Sequence, residues 1–247
     1  MSTVPPIPLE LCLKPISSRS KYDTIQPRLC QLPKGHRDIC NEFPFLKQLR
    51  ISHRSVASKI VRDAIMTTGA AWKSEEAGPN RILRWVMLLS DEQLVSFGIH
   101  MKDLKPQVVA KLRDKAAPYD ACMAVAKKLT WLVYQMPGAP TPEKEIQSYL
   151  EAHFGAMVPN STVCLVCRAP LSFDLFSKAA RGKAEIETGH SNPRHHNADN
   201  VGFAHRACNI AQGAKTLGEF YQWIEEILGR TKPAKHRIPD AQSPPGV

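Results

Sequence analysis

Two short cysteine-containing pairs stand out in this chain. Cys164-Leu-Val-Cys167 is followed much later by His205-Arg-Ala-Cys208. Each pair leaves two residues between its ligating side chains, the usual way to offer zinc a closed tetrahedral set of thiolates and imidazole. Four ligands leave no open position, so such a site is structural rather than catalytic. The other common use of this cysteine spacing is a thioredoxin-like redox pair, but the flanks do not read as strand then helix. A second cluster, Cys12, Cys30, His36 and Cys40, offers three thiolates and one imidazole, with Gly35 available for a sharp turn. Its spacing is irregular, and loop cysteines without metal are an equal reading. The seventh cysteine, Cys122, stands alone in an apolar helical run and reads as a small core residue.

Between the two later pairs lies a polar segment, Glu187-Thr-Gly-His190-Ser-Asn-Pro193, then Asp199-Asn200, and after the knuckle Asn209. Around these residues, over 160–217, the chain resembles the HNH (ββα-metal) endonucleases. It is most similar to the zinc-knuckle branch that includes phage endonuclease VII, where a zinc cysteine is also followed directly by Asn and a short helix. The resemblance implies three roles. His190 is the general base; a neutral imidazole, with an ordinary pKa near ~6.5, can take a proton from water at cellular pH. Asn200 bridges backbone groups and holds the loop that aims the histidine. Asn209 binds the catalytic ion through its side-chain oxygen. A hard cation, Mg2+ or Mn2+, suits oxygen ligands. Many family members carry Asp directly before the general base. Here that position is Gly189, so Glu187 is the substitute metal ligand by proximity, with Glu185 behind it on the same strand face. His195, His196, Arg206 and Lys215 are candidate DNA contacts, each weighed against a solvated surface position.

The elements that must hold these residues follow from periodicity. Residues 1–50 form a Pro-rich N-terminal segment with the candidate zinc loop. Residues 51–156 read as a helical DNA-recognition domain: Val56, Ile60 and Ala64 recur at helical spacing, and Val125, Leu129, Leu132 and Val133 make a buried stripe over 120–135. Arg81–Leu89 is an apolar run, and Ser90 with Gln93 forms a capping box. Thr141 is placed to cap a helix with Pro142 in its first turn. Residues 157–230 form the HNH nuclease domain, with strands expected at 184–188 and 201–204. Thr216 with Glu219 forms a second capping box, which opens an amphipathic helix. Trp223 and Tyr221 on that helix read as packing residues. From Arg230 the chain is basic and then Pro-rich, and residues 231–247 are expected to be a disordered tail. The fold class is therefore α+β: a mainly helical N-terminal domain followed by a zinc-stabilised ββα-metal domain.

Composition agrees. The net charge is +10 over 247 residues with 43% hydrophobic content, which suits a globular protein whose partner is a polyanion. No stretch of ~18 apolar residues and no signal-peptide pattern is present, so the expected location is cytoplasmic, with no membrane partner and no persistent disulfide. No His-Glu-x-x-His occurs, which sets a zinc protease aside. Recognition domain first and cutting domain last suggests a sequence-specific type II restriction enzyme acting on DNA as a homodimer. A nicking or junction-resolving phage or mobile-element nuclease would use the same motif. A non-catalytic zinc-stabilised nucleic-acid-binding protein is the competing class.

Overall fold

A computed structural model describes residues 10–16, 21–67, 82–180 and 182–231. The Pro-rich start over 1–9 and the tail over 232–247 lie outside the described residues. Pro44 opens a 3-10 turn, Pro44–Leu46, that runs directly into α1 (Lys47–Ser52). After His53 comes α2 (Arg54–Ile65), whose Val56, Ile60 and Ala64 are buried as the periodicity requires. The apolar run before Ser90 is a 3-10 helix, Arg84–Leu88, not an α-helix. The Ser90–Gln93 capping box forms in both directions and starts α3 (Asp91–Val95). Pro106, which needs no helical N–H partner, opens α4 (Pro106–Asp114). The stripe identified over 120–135 is the buried face of α5 (Tyr119–Tyr134), in which Val125, Leu129 and Val133 are fully enclosed and Leu132 is half-buried.

The next helix, α6 (Lys144–Phe154), begins later than the expected Thr141 cap. The cause is Gln48 of α1. Its amide nitrogen donates to the Thr141 carbonyl at 2.7 Å, and its oxygen accepts the Glu143 N–H at 2.9 Å. This brace fixes 141–143 before the helix starts. Gly155, with φ of 85°, ends it in a conformation that side chains resist.

Two small antiparallel hairpins follow. The first pairs β1 (Ala179–Ala180) with β2 (Lys183–Ala184). The second pairs β3 (Ile186–His190) with β4 (Val201–His205), in the register Ile186↔His205 to His190↔Val201. The strand expected at 184–188 thus sits two residues further on. Glu185 donates its N–H to the Lys178 carbonyl at 3.0 Å and so stays outside β3. Then come α7 (Arg206–Gln212) and α8 (Leu217–Thr231), the latter opened by the Thr216–Glu219 box. Arg230, read as the start of a tail, is still in this helix.

One hydrophobic core holds these pieces together. It includes Leu46, Ile60, Leu129 and Leu150 together with Cys164, Leu171, Ile186, Phe203 and Phe220, so it continues across the 156/157 composition change. Ile60, Leu129 and Phe203 are at most 1% exposed; enclosing each contributes about 1.5–3 kcal/mol. No helix among the described residues is long and apolar enough to cross a membrane.

Candidate functional site

The site is built on the β3–β4 hairpin and α7. Gly189 and Gly202 face each other across the strands, and Leu165 of the first cysteine turn packs over both. A Cβ on Gly202 would lie 3.4 Å from Leu165 Cδ1. Leu165 also donates its N–H to the Phe203 carbonyl at 2.8 Å. The glycine pair is therefore a slot that seats the cysteine turn on the hairpin. A Cβ on Gly189 would also lie 3.3 Å from Asn209 Oδ1. That oxygen faces the place where a side chain at 189 would begin.

Glu187 lies one strand repeat earlier on the same face as Gly189. Its Oε2 accepts from Asn209 Nδ2 at 2.8 Å, and its Oε1 lies 3.3 Å from Arg206 Nε. Glu187 and Asn209 are thus brought together as the sequence suggested, and Glu185 is not part of this arrangement. The Asn209 amide thus meets the carboxylate through its nitrogen and turns its oxygen toward position 189, and a carboxylate with an amide oxygen is a donor set that fits a hard divalent cation.

On the opposite face of β3, His190 Nε2 lies 2.9 Å from His196 Nδ1, and His196 Nε2 lies 2.7 Å from the Ala64 carbonyl of α2. His190 lines a cleft of about 210 Å3 with Thr188, Asn209, Gln212, Arg84 and Lys115. Burial, then the nearby Arg84 and Lys115 charges, push the His190 imidazole down to about 4, with Asp63 acting weakly the other way. The histidine is therefore neutral at cellular pH, the state a proton acceptor needs. Gln212, only 1% exposed, fixes the strand end by donating to the His190 carbonyl at 2.8 Å.

Asn200 ties the loop between the strands. Its Oδ1 accepts the Asn192 N–H at 2.7 Å and the Ser191 hydroxyl. Its Nδ2 donates to the carbonyls of Asn192, at 2.8 Å, and of His195. This bridging is what the resemblance implied for the position.

The two cysteine–histidine sets are both assembled. The ligand atoms of Cys164, Cys167, His205 and Cys208 all lie within 4.8 Å of one another, as do those of Cys12, Cys30, His36 and Cys40. Ligands ~2.0–2.3 Å from one ion sit within about 4 Å of each other, so each set needs little contraction. In the first set His205 presents Nδ1, 3.4 Å from Cys167 Sγ, and Cys164 Sγ accepts the His205 N–H at 3.4 Å. In the second His36 presents Nε2, 3.4 Å from Cys30 Sγ, and Cys30 Sγ accepts the Asn41 N–H at 3.4 Å. Backbone N–H groups aimed at sulfur stabilise thiolate, the form that binds metal.

The four residues considered as DNA contacts fall in different places. His195 is exposed. Arg206 reaches Glu187, and Lys215 Nζ lies over the Trp223 ring, 4.8 Å from its centroid. His196 is 6% exposed and faces inward, so it does not present its ring to a DNA backbone. Tyr221 and Trp223, read as packing residues, are both exposed, although the Tyr221 hydroxyl donates to the Val166 carbonyl at 2.6 Å.

Arg84 was missed. It is 5% exposed, donates to the carbonyls of Lys115 at 3.0 Å and Asp63 at 3.2 Å, and places a cation at the cleft. The available signal was an arginine inside an apolar run. Asp63 was missed too. Although burial raises its carboxyl, Lys59 and Arg62 hold it below the usual range, and Thr188 of β3 donates to it at 3.0 Å.

Similarity to known proteins adds a second line. The DraIII family matches residues 42–208. A crystal structure described as that of a type II restriction endonuclease superposes with a TM-score of 0.78 at 49% identity, covering 90% of this chain and 99% of that one. No curated protein matches the chain.

Proposed function

Because the chain belongs to the DraIII family, we propose that it is a type II restriction endonuclease that hydrolyses DNA with an HNH-type site. The observation that carries this reading is one cleft lined by both a neutral, half-buried His190 and Asn209, with Glu187 joined to Asn209. The 49% identical structure, a type II restriction endonuclease by description, supports the substrate class.

On this reading His190 takes the proton from the attacking water, and Asn200 holds the loop that follows it. Glu187 and Asn209 would hold a magnesium or manganese ion, which when bound supplies positive charge at the scissile phosphate and the leaving oxygen. Arg206, 3.3 Å from the Glu187 carboxylate, holds it in place. His195 and Lys215 are the candidate contacts to the DNA backbone, and the Arg84 and Lys115 charges at the cleft favour phosphate. The two cysteine–histidine sets hold structural zinc: one seats the hairpin, the other fastens the N-terminal segment. Two copies acting together, one on each strand, would cut a palindromic site.

The test is cleavage of long duplex DNA by the purified protein with Mg2+, beside an EDTA control and His190→Ala. Discrete fragments that vanish in both controls are expected. Intact DNA under Mg2+ and Mn2+, methylated or not, overturns the proposal. A smear or single-strand nicks keeps the nuclease and removes the restriction-enzyme part.

A further inference from the structure

Which nitrogen of His190 carries a hydrogen can be read from its neighbours. The chain of contacts starts at Ala64, the penultimate residue of α2. Carbonyls at a helix C-terminus lack intrahelical donors and carry the negative end of the helix dipole. A carbonyl can only accept, so His196 Nε2, 2.7 Å from it, must bear the hydrogen. His196 is 6% exposed, and burial foremost, with Arg84 and His190 adding to it, keeps its ring neutral. A neutral ring with hydrogen on Nε2 has a lone pair on Nδ1. That lone pair lies 2.9 Å from His190 Nε2. Two lone pairs facing each other would repel, so His190 Nε2 carries a hydrogen and donates it. The lone pair of the neutral His190 ring is then on Nδ1.

We propose that His196 is a positioning residue: it relays the Ala64 carbonyl to His190 and locks His190 in the tautomer whose Nδ1 accepts the proton. This rests on His190 being the base of the proposed cleavage. The arrangement joins α2 to the end of β3, and Thr188 bonded to Asp63 makes a second tie between the same two elements. The ring that must be aimed is thus oriented by a helix rather than by the loop that carries His196.

Two substitutions separate orientation from packing. His196→Asn keeps an acceptor at the place of Nδ1. His196→Gln keeps a donor for the Ala64 carbonyl and offers no acceptor at the place of Nδ1 to His190. Single-turnover cleavage should fall about 100-fold in His196→Gln, the scale of a general base wrongly presented. The apparent KM for DNA should be unchanged, and His196→Asn should recover most of the rate. Thermal stability should not follow that order. Equal losses in both variants would make His196 merely structural and overturn the inference. Nitrogen NMR of the full chain reads the tautomer directly, the His190 signals being assigned by their loss in His190→Gln. Hydrogen on Nε2 in wild type is expected, with a tautomer mixture in His196→Gln. Hydrogen on Nδ1 in wild type overturns the inference even if the protein cuts DNA. A protein that cuts nothing removes the cleavage reading and with it the word positioning, while the spectrum still decides the tautomer.

Discussion

Acid should destabilise this protein in a way that His190 can be shown to cause. In the unfolded chain its imidazole titrates near ~6.5; in the folded chain burial, Arg84 and Lys115 bring it to about 4, against a weaker pull from Asp63. The folded value is the lower one, so between these two pH values the unfolded chain binds more protons. Stability therefore rises with pH in that window and is lost on acidification. Each unit of difference is worth about 1.4 kcal/mol, so His190 contributes about 3 kcal/mol above the window that vanishes below it. In a domain of this size that corresponds to roughly 6–12 °C in melting temperature. The assay is a series of thermal melts without DNA, from near-neutral pH down to about 4, on wild type and His190→Gln. On the proposed reading zinc release in acid acts on both proteins, as does the burial of His196, so only the difference in slope is read. The wild-type melting temperature should fall more steeply below pH ~6.5. Parallel curves would refute the reasoning, because they would mean that His190 is no harder to protonate in the folded chain.

Two further outcomes follow from the site. Gly189→Asp should tighten Mg2+ about 10-fold, seen as a lower ion concentration for half-maximal cleavage and checked by calorimetry on the DNA-free protein; a carboxylate here would start 3.3 Å from Asn209 Oδ1. Unchanged ion affinity in a folded variant would separate this corner from the ion. The two assembled ligand sets should give two zinc ions per chain by elemental analysis, with one ion lost in Cys164→Ser and one in Cys30→Ser. Metal-free wild type of undiminished stability would show that the sets are only clustered thiols.

What could be read in the sequence was whatever depends on local spacing. The Cys164–Cys208 set, both capping boxes and the buried faces of α2 and α5 follow from fixed offsets along the chain, because turns and helices impose those offsets. What could not be read depends on residues far apart in sequence. Gln48 delays α6 by bracing 141–143, and no pattern around Thr141 encodes this. His196 sits in a polar loop beside the exposed His195, so composition gave both the same surface role. Only the fold brings the Ala64 carbonyl to it and makes it an interior residue. Arg84 is similar: its burial is tolerable because carbonyls of Lys115 and Asp63 receive it.

The glycine that stands where many HNH nucleases carry aspartate has a physical explanation in the hairpin. Gly189 and Gly202 are cross-strand partners, and Leu165 of the cysteine turn lies over both. An aspartate at 189 would share that space with Leu165, Ala204 and Asn209 at 3.3–3.6 Å from its Cβ. With glycine at 189 seating the turn, the carboxylate comes from elsewhere on the same face. The nearest such position on β3 is 187, two residues and about 6.8 Å back along the strand. Glutamate is one methylene longer than aspartate, which shortens that gap. Asn209 completes the arrangement from α7: its nitrogen is on Glu187, while its oxygen faces the empty place at 189. On the proposed reading, seating the zinc turn and supplying the ion's carboxylate are one packing problem, solved by moving the acid one strand repeat.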